Sequence, residues 1–187
     1  LELTDFKKAK DVWEMSAAER AASQLRKKQQ GNAAFARRQY EKAIRLYEAS
    51  NTRAPTEEDL ETQVGARGGT GVTGADASGG GSGADASEAD DLPAVDREAV
   101  KQIRLACFLN MAACHLKLEQ PSKVISCCTS ALDLAPNHAK ALYRRGQAYL
   151  VLADFEAAKV DLMAAVRADP TSKEPRQGLE DLKAAQA

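Results

Sequence analysis

A spacing of 34 residues recurs along this chain: Pro136 and Pro170, Ala131 and Ala165, and Ala112 and Gly146 all stand that far apart. A period of this length constrains the fold more than composition does, because so short a unit cannot bury its apolar face alone and has to stack on its neighbours. Between the markers, apolar residues recur at three and four, which predicts helices over Leu105–Leu118, Ser122–Leu134, Ala139–Leu152 and Asp154–Ala168, joined by short turns. Pro121 suits a first helical turn, where its missing N–H would be an orphan in any case. Upstream, Gly31 with Tyr40, Ala43 and Tyr47 repeats the offsets of Gly146 with Phe155, Ala158 and Leu162. Gly31 and Ala112 are 81 residues apart, one period plus 47, so an insertion separates the first copy from the second. The expected fold is all-α: an α-α superhelix of three helix pairs over about residues 24–170. A final amphipathic helix, Ser172 to Ala187, is expected to cap it through Leu179 and Leu182.

The insertion has a composition of its own. Nine of the 12 glycines lie between Gly65 and Gly83, in a tract without apolar periodicity, which predicts a disordered loop. Residues 54–96 hold ten acidic side chains against one basic, Arg67, a charge of −9. The other 144 residues carry 25 basic and 17 acidic groups, so the net charge of −1 is the sum of a +8 repeat domain and an acidic insert. The four cysteines include no CxxC pair and follow no opening apolar run, which points to a reducing, cytoplasmic compartment. No stretch approaches the roughly 20 apolar residues of a membrane span, and no membrane association is expected.

Chemistry other than binding finds little support. Cys107 and Cys114 are seven apart on one helix face and Cys127 and Cys128 lie in the next helix, with no usual zinc spacing, so core packing is expected and no metal or cofactor is implied. His115 is expected in the core and His138 at the surface. Neither has a Ser or Cys credibly beside it, which argues against nucleophilic catalysis. Basic residues are spread over several helices without interleaved aromatics, so no nucleic-acid role is expected.

With Gly31, Ala112 and Gly146 each counted as the eighth residue of a repeat, positions 2, 5, 6, 9, 12 and 13 share one helical stripe. That stripe carries Lys28 and Asn32, then Asn110, Ala113, Leu116 and Lys117, then Lys140, Tyr143, Arg144 and Gln147. Lys28 and Asn32 are four apart, as are Lys140 and Arg144, so donors stack on consecutive turns with no carboxylate between them. An inner wall of donors suits an anionic ligand, and carboxylate recognition is the natural inference.

A small residue at the eighth position, a large one nine later, Ala three after that and Pro closing the unit resembles the tetratricopeptide repeat. Lys28, Asn32, Asn110, Lys140 and Arg144 resemble the two-carboxylate clamp of tetratricopeptide co-chaperones, and two of the chain's only four Asn stand where that clamp has Asn. The resemblance implies that the groove docks the Glu-Glu-Val-Asp tail of heat shock protein 90. Lys28, Asn32 and Asn110 would then hold the terminal main-chain carboxylate, and Lys140 and Arg144 the Asp side chain. Phe35, Ala113, Leu116 and Lys117 would form a secondary groove. The alternative is the tail of the 70-kilodalton heat shock protein or another acidic C-terminal peptide.

Phe6-Lys7-Lys8-Ala9-Lys10 and Trp13-Glu14-Met15, after six residues that alternate like a strand, resemble the junction between isomerase and repeat domains in large FKBP-type immunophilins. Leu109 to Leu118 resembles their second repeat, while the glycine tract departs from the family. The resemblance implies that residues 1–20 are the end of an absent prolyl isomerase domain and a linker helix, and that residues 21–187 form the repeat domain. The active site of the parent isomerase would then lie upstream of Leu1, with no catalytic residue in this chain.

Overall fold

Ser16 opens the helical array. Its Oγ accepts the Glu19 N–H at 3.2 Å, and the Glu19 carboxylate accepts the Ser16 N–H at 2.8 Å. Such a reciprocal cap is worth about 1 kcal/mol to the first turn. The computed structural model describes residue 11 and residues 14–56 and 96–186, and among these it contains seven helices and no strand. They are α1 (Ala17–Ala36), α2 (Tyr40–Thr52), α3 (Arg97–Lys117), α4 (Pro121–Leu134), α5 (Ala139–Val151), α6 (Phe155–Ala168) and α7 (Glu174–Ala185). The three pairs and the closing helix match the expected all-α superhelix. The strand expected over the first six residues, Trp13 and the glycine tract lie outside the described residues.

One helix boundary differs from the sequence expectation. Helix α3 begins at Arg97 rather than Leu105, because Asp96 Oδ1 accepts the Glu98 N–H at 2.9 Å and Val100, 5% exposed, gives the extra turns an apolar contact. Helix α1 begins at Ala17 and runs unbroken through residue 20, the expected end of the linker helix. At the two edges of the expected insertion, Ala54 is buried with its carbonyl accepting a guanidinium N–H of Arg20 at 3.4 Å, and Asp96 is a helix cap.

The 34-residue period reappears in the backbone. Arg38, Glu119 and Ala153 all have positive φ, 59°, 53° and 58°, and each is the residue that reverses the chain within a helix pair. Behind them, Gln39 N–H bonds to Ala34 O at 3.0 Å, Gln120 N–H to His115 O at 3.0 Å and Asp154 N–H to Tyr149 O at 2.9 Å. This six-to-one closure satisfies the last carbonyls of the first helix and starts the second within two residues.

Consecutive helices pack on one another, and α1, α3, α5 and α7 also touch in succession, forming the inner layer behind which α2, α4 and α6 stack. Ala34, Ala43, Ile44, Tyr47, Cys107, Met111 and Cys114 make the core of the first pair and its junction with α3. Leu105, Leu109, Leu132, Leu142 and Ala165 continue it, with Ala112, Val124, Cys128 and Ala148 beneath the second and third pairs. Small residues set the close approaches. A Cβ on Gly146 would lie 2.9 Å from Leu162 Cγ, and one on Gly178 would lie 2.8 Å from Leu162 Cδ2. Leu162 is thus held between α5 and the closing helix, so α7 docks through Gly178 as well as the expected Leu182, which is 3% exposed.

Candidate functional site

The expected donors lie on the three inner helices. Lys28 and Asn32 are on α1, Asn110 on α3, and Lys140 and Arg144 on α5. Lys28, Asn110 and Arg144 are half-buried, while Asn32 and Lys140 are exposed. Between Asn32 and Asn110 the helices are joined directly: Asn110 Nδ2 donates to Asn32 Oδ1 at 3.1 Å across 78 residues of sequence. The same oxygen accepts the Tyr47 hydroxyl from α2 at 2.8 Å. Arg144 reaches across from α5 and donates through a terminal guanidinium nitrogen to Leu109 O at 2.7 Å, one residue from Asn110. Asn32, Asn110 and Arg144 are therefore linked, side chain to side chain and then through the α3 backbone, into one band across the inner face.

Lys140 sits apart from that band. With Ala139, Tyr143, Asp169, Ser172, Glu174 and Pro175 it lines a cavity of about 90 Å³ at the start of α5. The Asp169 carboxyl is held below the usual range first by the Thr171 hydroxyl, 2.7 Å away, with the Lys140 ammonium a smaller contributor. Tyr143, half-buried and accepting Gln147 Nε2 at 2.6 Å, has its phenol pushed up by burial and then by the Glu174 and Asp181 carboxylates of α7. The Glu174 and Asp181 carboxylates of α7 thus lie near the Tyr143 and Lys140 end of the inner face.

The expected secondary groove residues are divided between groove and core. Phe35 is half-buried, its ring edge-on to Tyr40 at 5.5 Å and packed on the first core cluster, while Leu116 packs against the cluster of Ala112, Val124, Cys128 and Ala148. Ala113 is half-buried and Lys117 exposed at the end of α3. The four thiols are free, and Cys107, Cys114 and Cys128 are buried while Cys127 is half-buried. Burial pushes the thiols of Cys114 and Cys127 up to about 11 and that of Cys128 to about 12, so they remain thiols. His115 is in the core as expected, 7% exposed and 3.0 Å from Gln120 Oε1. His138 is half-buried rather than exposed, because it stands at the N-cap of α5 with Nδ1 enclosed.

Sequence reasoning missed two parts of this arrangement. In the sequence Tyr47 is only one of the offsets that repeat from Gly31, and its hydroxyl, absent from Leu162 at the matching position, is the one signal of its bond to Asn32. Arg145 follows Arg144 and differs from it only by facing α6, where Nε and a terminal nitrogen bond Asp161 at 2.7 and 2.8 Å and the other terminal nitrogen bonds Thr129 at 3.2 Å.

Comparisons with known proteins match this fold. A family model described as tetratricopeptide repeat matches residues 139–172. The chain is 30% identical over 171 residues to the peptidyl-prolyl cis-trans isomerase FKBP4 of Mus musculus, covering 91% of this chain and 30% of that protein. The chain therefore spans under a third of the length of that relative. The C-terminal repeat domain of a Plasmodium falciparum FK506-binding protein superposes with a TM-score of 0.63 at 22% identity, over 94% of this chain and 99% of that one. The first repeat domain of Spaghetti (RPAP3), solved with the HSP90 peptide SRMEEVD, superposes with a TM-score of 0.59 at 19% identity, over 89% and 94% of the two chains.

Proposed function

We propose, from the premise that this chain is a tetratricopeptide-repeat domain related to the FKBP-type prolyl isomerases, that its inner face docks the acidic C-terminal tail of a heat shock chaperone. The observation that carries this reading is the band of Asn32, Asn110 and Arg144. It is built from three repeats, on a stripe of α1, α3 and α5 that carries no carboxylate. An amide side chain and a guanidinium held in place before the ligand arrives lose little freedom on binding, which favours a short flexible peptide.

In this role Lys28, Asn32 and Asn110 take the main-chain carboxylate of a terminal Asp, and Lys140 and Arg144 take its side chain. A chain end supplies two carboxylates within one residue, whereas an internal Asp or Glu supplies one. The carboxylates of α7 near Tyr143 favour the acidic end of the peptide at α1, α3 and α5. The solved Spaghetti (RPAP3) complex with a peptide ending Glu-Glu-Val-Asp supports heat shock protein 90 as the partner; a cytoplasmic location is part of the proposal. Docking would recruit a prolyl isomerase whose catalytic residues are not among those of this site.

Charge-assisted bonds of about 1.5–3 kcal/mol each, offset by ordering of the peptide, give an expected dissociation constant on the order of micromolar, about −8 kcal/mol. Calorimetry with a peptide ending Met-Glu-Glu-Val-Asp tests the assignment. Lys140→Ala and Arg144→Ala each weaken binding by about tenfold or more, since a hydrogen bond to a charged group is lost in each. Unchanged affinity in both variants would contradict it.

A further inference from the structure

Asn32 can serve a carboxylate only if its amide presents the NH₂ group, and not the oxygen, to the groove. An exposed Asn on a helix is free to turn either way, and the wrong orientation would set an oxygen against the anion. In this structure the oxygen is already engaged. The Tyr47 hydroxyl donates to Asn32 Oδ1 at 2.8 Å and Asn110 Nδ2 donates to it at 3.1 Å. Both lone-pair directions of the carbonyl are used, and among the described residues Asn32 Nδ2 has no partner. The two N–H bonds of Asn32 are left for the groove.

Tyr47 reaches this position because the neighbouring residue has no side chain. A Cβ on Gly31 would lie 2.5 Å from Tyr47 Cε1 and 2.7 Å from Cδ1, so the ring slides beneath α1 only against glycine. Gly31 admits the ring and Asn32, the next residue, accepts its hydroxyl. The ring itself is 1% exposed and packed in the first core cluster, which fixes where the hydroxyl points. Burial and then the Cys114 thiol push the phenol up to about 12, and it remains a donor through the physiological range. In the third repeat Leu162 occupies the matching place against Gly146 and offers no hydroxyl.

We infer that Tyr47 is a positioning residue for ligand recognition: it never touches the peptide, but locks the Asn32 amide with its donors facing the chain-terminal carboxylate. The inference rests on the carboxylate-docking reading above. It differs from a packing role, for which Phe would serve equally well, and it assigns to the outer helix α2 a part in recognition that the inner stripe alone does not contain.

The test is calorimetry on the full chain with a peptide ending Glu-Glu-Val-Asp and with its C-terminal amide, for the wild type, Tyr47→Phe, Asn32→Ala and the double variant. Tyr47→Phe keeps the ring, and circular dichroism and thermal unfolding establish that it folds. It weakens the acid peptide by about three- to tenfold, the range of one hydrogen bond, and leaves the amide unchanged, so the acid-to-amide ratio falls. In the Asn32→Ala background the same substitution has no further effect on the acid peptide, because its route of action is gone. A Tyr47→Phe chain that discriminates acid from amide as well as a discriminating wild type overturns the role of Tyr47 and leaves the groove reading standing. So does an equal loss in the two backgrounds. A wild type that does not discriminate overturns both.

Discussion

Neighbouring arginines show how far one residue's surroundings decide its work. Arg144 and Arg145 share a charge and a helix, yet one donates into the inner face at Leu109 O and the other is bound by Asp161 in a two-bonded pair. Nothing in the residue types separates them; the repeat register does, because one position around a helix is about 100° and turns a side chain from groove to interior. The Asp161 side chain is 6% exposed and that of Arg145 22%. Removing one partner of a fully buried pair costs about 3–5 kcal/mol, and partial exposure of the guanidinium lowers this to about 2–3 kcal/mol. Asp161→Ala should therefore shift the urea midpoint clearly downward while leaving peptide affinity within about twofold, because the pair lies between α5, α6 and Thr129 rather than in the band. The shared inner stripe was legible in the sequence from spacing, and the resemblance to the clamp singled out Lys28, Asn32, Asn110, Lys140 and Arg144 on it. The hydroxyl of Tyr47 was not, since a hydrogen bond across a helix pair depends on where the ring lies and not on periodicity.

At the level of elements, the within-pair turns carry a cost that the sequence conceals. Each uses a residue with a Cβ at positive φ, Arg38, Glu119 or Ala153, where glycine would be the usual choice. Helix periodicity revealed that a turn lies there but not its handedness, because no Gly or Asn marks it. Ala153→Gly relieves about 1–2 kcal/mol of left-handed strain and gives back about 0.4–1 kcal/mol through the freer unfolded chain. The net expectation is a gain of about 0.5–1 kcal/mol, read as a rise in the midpoint of thermal or urea unfolding; a loss of stability would show that the turn is not strained. The longer α3 was hidden for a different reason. Its extra turns precede the repeat register, and only the cap at Asp96 and the burial of Val100 reveal that they belong to the domain.

Two predictions belong to the whole molecule. His115 and His138 are both lowered from their ordinary value, mainly by burial. The unfolded chain therefore takes up protons first as pH falls through about 6.5. Stability is full above that point and declines below it, until the folded histidines protonate in turn, by at most about 1.4 kcal/mol per pH unit for each histidine. The melting temperature should drop between pH 7 and 5, and His115→Gln should flatten the drop; a flat profile in the wild type would show that neither group is held neutral. The second concerns charge. Residues 54–96 carry a charge of −9 and the rest of the chain +8, and the expectation is that acidic side chains of the insertion compete weakly for the groove. Deleting residues 57–95 with a short linker, which keeps the buried Ala54 and the cap at Asp96, should strengthen peptide binding at low salt and matter less at high salt. Equal affinity at low salt would make the tract a spacer.

The central claim is that this inner face reads the end of a chain. It is tested most directly by the ratio of dissociation constants for a peptide ending Glu-Glu-Val-Asp and the same peptide amidated at its C-terminus, measured by calorimetry on the wild-type chain. Loss of one of two clamped carboxylates removes more than one charge-assisted bond, at about 1.5–3 kcal/mol each. The amide should bind at least about tenfold more weakly; equal binding of acid and amide would contradict the account.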